Sequence, residues 1–228
     1  MNKEEIFEVK VPMQTATYQP VSHSNIYNQT MEQLDKVGLV VTNEEHKANR
    51  EGTKLVSILD VNAGYDDMNM RIAYRNSYDK SMSVGFVAGT SIIVCSNGMI
   101  SGELNFMRKH QGAVVKDLTQ AIDNTIQQLD SQFIMMRNHS DIMKEIELSN
   151  KSIAELVGRM YLEEDLISNT QLNIIKKELE TPSYEDFTDT SLWSLYNHCT
   201  ESFKKAAPMN YIKQHTNLHN FVEQEFKF

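Results

Sequence analysis

The chain has 228 residues, 40% of them hydrophobic and 23% charged, which fits a globular protein with a real core in one or two domains. Its net charge of −9 is uneven: residues 1–111 carry 11 Lys and Arg against 13 Asp and Glu, residues 112–228 carry 11 against 18. Attraction to nucleic acid is therefore excluded as a property of the whole surface, and any such binding needs a local basic face in the first half.

The opening MNKEEIFEVKVPMQ has no apolar stretch long enough for a signal peptide. With Pro12 and Pro20, residues 1–22 read as an extended, loosely tied segment. SNIYNQTMEQLDKVG reads as a helix capped by Ser24 or Asn25 and ended by Gly38, with Tyr27, Met31, Leu34 and Val37 as its apolar stripe. After Gly38 the period becomes two. Residues 39–42 and 54–61 are expected strands around a polar turn region ending at Glu51 and Gly52. NMRIAYRNS alternates, putting Met70, Ile72 and Tyr74 on one face and Arg71, Ala73 and Arg75 on the other.

SMSVGFVAGTSIIVCS is too long for one ordinary strand and is expected to break or bend at Gly89. Asn97 and Gly98 then signal a hairpin turn, since that dipeptide supplies two positive φ angles. From 115 to 136 apolar residues follow the helical period, predicting one long helix. Further helices are expected from Ser149 or Ser152, over residues 170–179 before Pro182, over DTSLWSLYNHCTESFKKAAP with Asp189 or Thr190 as cap, and from about Tyr211. The fold class is α+β: a short N-terminal helix, an antiparallel sheet of four or five strands, a long helix and a helical C-terminal half. Residues 23–148 form the α+β core and 149–228 a helical part packed on it. No run approaches the roughly 18 apolar residues that span a bilayer.

The common nucleotide, hydrolase and metalloprotease motifs are absent from the sequence, and no cofactor is implied. The two cysteines, Cys95 and Cys199, form no disulfide framework and point to reduced thiols in a cytosol. Cys95 would be a nucleophile if His110 lay beside it, but a buried cysteine at a strand end is the plainer reading. His215 and His219 share a helix face, with Cys199 or His198 as further metal ligands; the alternative is a polar face carrying two histidines, and the spacing matches no common zinc module. The carboxylates at 163–165 and 185–189 read as solvated turns and helix ends. Arg71 and Arg75 project from one side of a strand, with Tyr78 and Lys80 just beyond, while Arg108, Lys109, His110 and Lys116 precede or start the long helix. Together with Phe106 and Tyr78 as stacking rings, these cations suit a single strand of nucleic acid. The competing reading is a solvated face whose arginines pair with Glu44, Glu45 or Asp79.

RNSYDKSMSVGFVAGTSIIVCSNGMISGE, followed much later by LWSLYNHCTE, resembles the phage- and plasmid-borne proteins of domain-of-unknown-function family 932. Those proteins share R-N-S-x-D, a strand ending in C-x-N-G, and W-x-x-Y-N-x-x-T-E. Here the first two motifs fall on Arg75, Asn76, Ser77, Asp79, Cys95, Asn97 and Gly98. The third falls on Trp193, Tyr196, Asn197, Thr200 and Glu201. The resemblance implies mobile-element ancestry, hence a bacterial cytoplasm, and no settled reaction. The order helix, antiparallel strands, long helix is also similar to the core of phage single-strand annealing proteins, which oligomerise on one DNA strand. The leading expectation is a non-enzymatic phage or plasmid protein that binds single-stranded nucleic acid in replication or recombination. The alternative is an interaction module, an assembly component or host-defence inhibitor, that docks on a phage or host protein through its acidic helical half.

Overall fold

A computed structural model describes residues 1–95, 97–100 and 105–228. Ser96 and residues 101–104 of the quoted hairpin stretch lie outside the described residues. The N-terminal segment is not loose. Asn2 and Glu5 form a reciprocal capping box that starts a short helix, α1 (Lys3–Glu8). Ile6 pins it into the core, and Tyr18 and Val21 are buried further along.

Helix α2 (His23–Lys36) is capped by Ser22 and followed by Gly38 in the left-handed conformation. Its buried stripe is His23, Ile26, Thr30 and Leu34, rotated from the expected one. Val37 is exposed, and Tyr27 turns toward Lys3 and Glu44. Thr30 can face inward because its hydroxyl donates to the Ile26 carbonyl.

Four antiparallel strands follow in chain order: β1 (Val41–Ala48), β2 (Lys54–Val61), β3 (Met68–Ser77) and β4 (Val84–Ile92). The far side of β4 is shared by β5 (Gly98–Met99) and β6 (Asn105–Arg108), making a sheet five positions wide. The polar run Asn43 to Lys47, expected in a turn, is strand. It forms the sheet's charged edge, where Glu44, Glu45 and Lys47 are tolerated and discourage further pairing. Strand β4 runs straight through Gly89. That glycine is required because Met99 and Ile100 cross so close that a Cβ would overlap them. Gly98 likewise sits inside β5 opposite Ser91 without a positive φ; the chain has already reversed between Ile92 and Asn97.

The expected long helix is two, α3 (Val114–Gln127) and α4 (Leu129–Glu145), parted at Gln128, whose ψ of 4° leaves the helical range. No glycine or proline marks that break, so periodicity carries across it unchanged. Helices α5 (Asn150–Leu162), α6 (Asn169–Glu180), α7 (Leu192–Phe203) and α8 (Tyr211–Phe226) complete the chain. Ser191 caps α7, and Asp189 braces that cap through Ser191 and Ser194.

Helices α2, α3 and α4 cover the face of Met70, Ile72 and Tyr74, in one core that continues through α7 to Val222. The opposite face is covered in part. Ile58, Ala73 and Val87 meet Ile100 and Ile212 in a second, smaller cluster beside Tyr211. Every residue from Ser191 to Thr200 is buried, so α7 is a central helix of the molecule. The helical C-terminal half is therefore built into the core.

Candidate functional site

The alternation of β3 is as expected, but both of its faces are buried, and that splits the eight cationic and aromatic residues singled out above. Arg71 is 4% exposed. Its Nε and Nη2 donate to the two carboxylate oxygens of Asp60, at 2.7 and 3.1 Å, directly across the β2–β3 ladder. This fork is bidentate, and Ser91 and Asn43 complete the carboxylate's shell at 2.8 and 3.3 Å. Burial alone would raise the Asp60 pKa, but these donors hold it below the usual carboxylate value. The partner of Arg71 is thus Asp60, not Glu44, Glu45 or Asp79.

Arg75 lies on the same face, half-buried, opposite Val56 and Gly85. Burial lowers its pKa. Phe106 sits on the other face: it pairs with Phe86, which pairs with and stacks on Tyr74, and it packs against the main core. Tyr78 is also buried. Its ring stacks on His23 at 4.0 Å and its hydroxyl accepts from the His23 backbone N–H at 2.9 Å. Neither ring offers an open face beside Arg71 and Arg75.

The other four residues lie at the surface, and two of them share a cleft. Pairing of Val84 with Arg108 places the β3–β4 turn beside the end of β6 and the start of α3. Lys80, at the tip of that turn with φ +65°, and Lys109 both border one cleft of about 330 Å³ together with Tyr18 and His110. Arg108, next to Lys109 in the chain, is exposed and bonded to Asp117, whereas Lys116 is exposed on α3 and borders a different cleft with Gln33 and Lys36. Of the nearby acids, Asp79 is held by Lys54 and by Ser81. His110 is 5% exposed, and burial lowers its pKa.

Arg71 belongs to a second cavity, of about 490 Å³, between the sheet, the Asn97–Gly98 segment and the ends of α7 and α8. Its Nη1 donates to the Tyr211 hydroxyl at 2.8 Å. Gly98 has no Cβ because one would overlap that hydroxyl and sit 3.0 Å from Arg71 Nη1. His215, one turn along α8, packs against Tyr211 with the rings tilted and centroids 4.3 Å apart, and its Nδ1 meets the Gly98 carbonyl at 2.6 Å. Burial lowers its pKa to about 3, so the ring is neutral, and the carbonyl fixes its proton on Nδ1. Asn97 Nδ2 donates to the carbonyl and Oδ1 of Asn197, and Lys204 Nζ donates to the Cys95 carbonyl at 2.7 Å. The C-x-N-G segment and the Y-N-x-x-T-E helix, a hundred residues apart in sequence, are thus one joint.

Sequence reading missed Asp60 and Tyr211. Both would have needed the β2–β3 register and the path of α8, which no local pattern specifies. His215 and His219 share a face but serve different neighbours. His219 Nε2 meets His139 Nδ1 on α4 at 3.1 Å, whereas Cys199 packs against Met160. Among the described residues no three His, Cys, Asp or Glu stand close enough to hold a metal. Cys95 is buried and its pKa raised by that burial, the opposite of an activated thiol. His110 packs instead against Tyr18, with the two rings tilted. Among the described residues no helix is long and apolar enough to cross a membrane.

No curated protein and no solved structure matches the chain. The two motifs that suggested a family are the two that meet at the Asn97–Asn197 joint, and a family model spans both of them. Residues 13–222 match the family described as Domain of unknown function (DUF932), and the chain belongs to it.

Proposed function

We propose that this phage- or plasmid-type protein binds single-stranded nucleic acid, in replication or recombination, through the cleft bordered by Lys80 and Lys109. The observation that supports this reading is the meeting of Lys80 and Lys109 at one cleft, with Arg108 next to Lys109 in the chain, on an otherwise acidic molecule. Phosphates would be held there by lysines on short, rigid connections. Arg71 has no part in it, being committed to Asp60. The test is retardation of a labelled oligonucleotide at low salt. Wild-type protein is expected to bind, and Lys80→Ala with Lys109→Ala to weaken binding and flatten its dependence on salt. A wild-type protein that fails to retard the strand overturns the reading.

One observation favours docking on a protein instead. Helices α5 and α6 leave an apolar cleft of about 810 Å³ in the acidic half, lined by Ile153, Val157, Leu172, Ile175 and Leu179. Clefts of this kind accept an amphipathic helix. A single stoichiometric partner retained after nuclease treatment would support this second reading.

A further inference from the structure

The two arginines of β3 share a face and differ in what meets them. The row Ile58, Ala73 and Val87 is closed by Ile100 and Ile212. The next row along the strands, Lys47, Val56, Arg75, Gly85 and Met107 in register, has Lys47 and Met107 open to solvent. Gly85 keeps the middle of this row shallow: a Cβ there would overlap the Met107 sulfur and sit 3.3 Å from Arg75 Cγ. Among the described residues Arg75 has no hydrogen bond and no ion pair. Its Nε is closed to solvent and unbonded, its Nη atoms are not closed off, and burial alone acts on its pKa. The acids that could neutralise it are engaged elsewhere: Glu44 with Lys3 at 2.7 Å, Glu45 with Lys47 at 2.9 Å and Asp79 with Lys54 at 3.2 Å. A half-buried guanidinium with an unsatisfied donor costs stability, so the fold itself gains nothing from a charge at this position. Met107 and Gly85 each stand two residues from a member of the basic cleft, Lys109 and Ser83. Two strand spacings, about 10 Å, separate β3 from β6.

We propose that Arg75 holds a phosphate of the bound strand, which leaves the Lys80–Lys109 cleft and crosses the outer face of the sheet beside Met107. This rests on the strand reading above and gives that strand a path. A cleft of about 330 Å³ is at the small end of ligand sites and takes only a short part of a strand. The rest needs neighbouring surface, and Arg75 is a cation on that surface left without a partner. The terminal N–H groups of a guanidinium match phosphate oxygens in geometry and charge. Met107, 38% exposed, supplies apolar surface next to it for a sugar. The row holds no aromatic ring on which a base could stack, so the contact is to the backbone and independent of base sequence. Lys47, already matched by Glu45, adds little beyond Arg75.

Retardation of a labelled oligonucleotide by the full chain, as wild type, Arg75→Met and Arg75→Lys over a salt series, tests it. Arg75→Met is expected to weaken binding about tenfold at low salt. It should also reduce the slope of log affinity against log salt by about 0.7, one phosphate's share for a single strand. Arg75→Lys keeps the charge and should keep the slope. A packing role would show in stability instead, so Arg75→Met is expected to unfold at the wild-type urea midpoint or above it. Combined with Lys80→Ala and Lys109→Ala, its loss should multiply theirs, as separate contacts on one strand do. If Arg75→Met does not fold, an arginine-selective dicarbonyl reagent on wild-type protein carries the test: a bound strand should protect Arg75 from labelling. Wild-type affinity and slope in Arg75→Met, or labelling of Arg75 unchanged by the strand, overturns this inference and leaves the cleft reading standing. A wild-type protein that retards no strand overturns both.

Discussion

Arg71 and Lys80 stand nine residues apart on neighbouring parts of one hairpin, carry the same charge, and live in different solvents. Arg71 lies under the start of α8, forked onto Asp60 and bonded to Tyr211. Lys80 rests in water over the Tyr18 ring, 4.6 Å from its centroid. The difference teaches that a cation's place in a strand pattern says which face it takes but not what covers that face. A buried guanidinium is part of the fold, because removing it strands a carboxylate. An exposed lysine is nearly free of the fold and available to a partner.

The largest expected effect breaks the buried side of this contrast. Arg71→Met leaves Asp60 charged and uncompensated at 7% exposure, and should cost about 3–5 kcal/mol of stability. Adding Asp60→Leu removes the orphan charge and should return a large part of that loss. Urea unfolding of wild type, single and double variants measures both numbers. If Arg71→Met alone costs less than about 1 kcal/mol, the pair is not buried as described.

That arginine also shows where the sequence could be read and where it could not. The alternation placing Arg71, Ala73 and Arg75 on one face was legible, because strand period two is a local property. So were the positions of α5 to α7, where serine caps and apolar spacing act within a few residues. Burial of the Arg71 face was not legible, since Tyr211 and Ile212 arrive from 140 residues away. Edge strand β1 was expected to stop at Thr42, because Asn43, Glu44, Glu45 and Lys47 have poor strand propensity, and ladder bonds to β2 override it. Gly89 was read as a break or bend and Gly98 as part of a turn, when each makes room for a crossing chain. That distinction depends on tertiary approach. Of the expected site, Lys80 and Lys109 border one cleft, while Phe106 packs against the main core and Tyr78 is buried on His23.

A smaller effect sharpens the contrast through pH. His215 and His219 have folded-state pKa values lowered to about 3 and His23 to about 4, each by burial. In the unfolded chain a histidine titrates near 6.5. Between these values the unfolded state binds more protons, so stability is full above about pH 6.5 and falls as the pH drops toward 3–4. Each such imidazole contributes a slope of up to about 1.4 kcal/mol per pH unit within that window. Asp60, with its lowered pKa, gives up stability only below the unfolded carboxylate value of about 3.9, so data above pH 5 isolate the histidines. Unfolding free energy should therefore decline from pH 7.5 to 5. In His219→Phe the decline should be shallower by one proton's worth. A flat profile over that range would mean these rings are solvated.

The smallest effect belongs to the exposed side. Lys80→Ala and Lys109→Ala should each change stability by under about 0.5 kcal/mol, the usual range for surface positions. Lys80 loses a solvent-screened contact with the Tyr18 ring, and Lys109 has an exposed side chain at the end of β6. The left-handed φ of +65° at Lys80 is no easier for alanine, so the backbone term nearly cancels in that substitution. Lys80→Gly should instead stabilise slightly, because glycine takes that conformation without strain. Thermal melts of the three variants order these effects. A loss above 1 kcal/mol at either alanine variant would mean that the lysine is structural, like Arg71, and the two ends of the hairpin would no longer differ in kind.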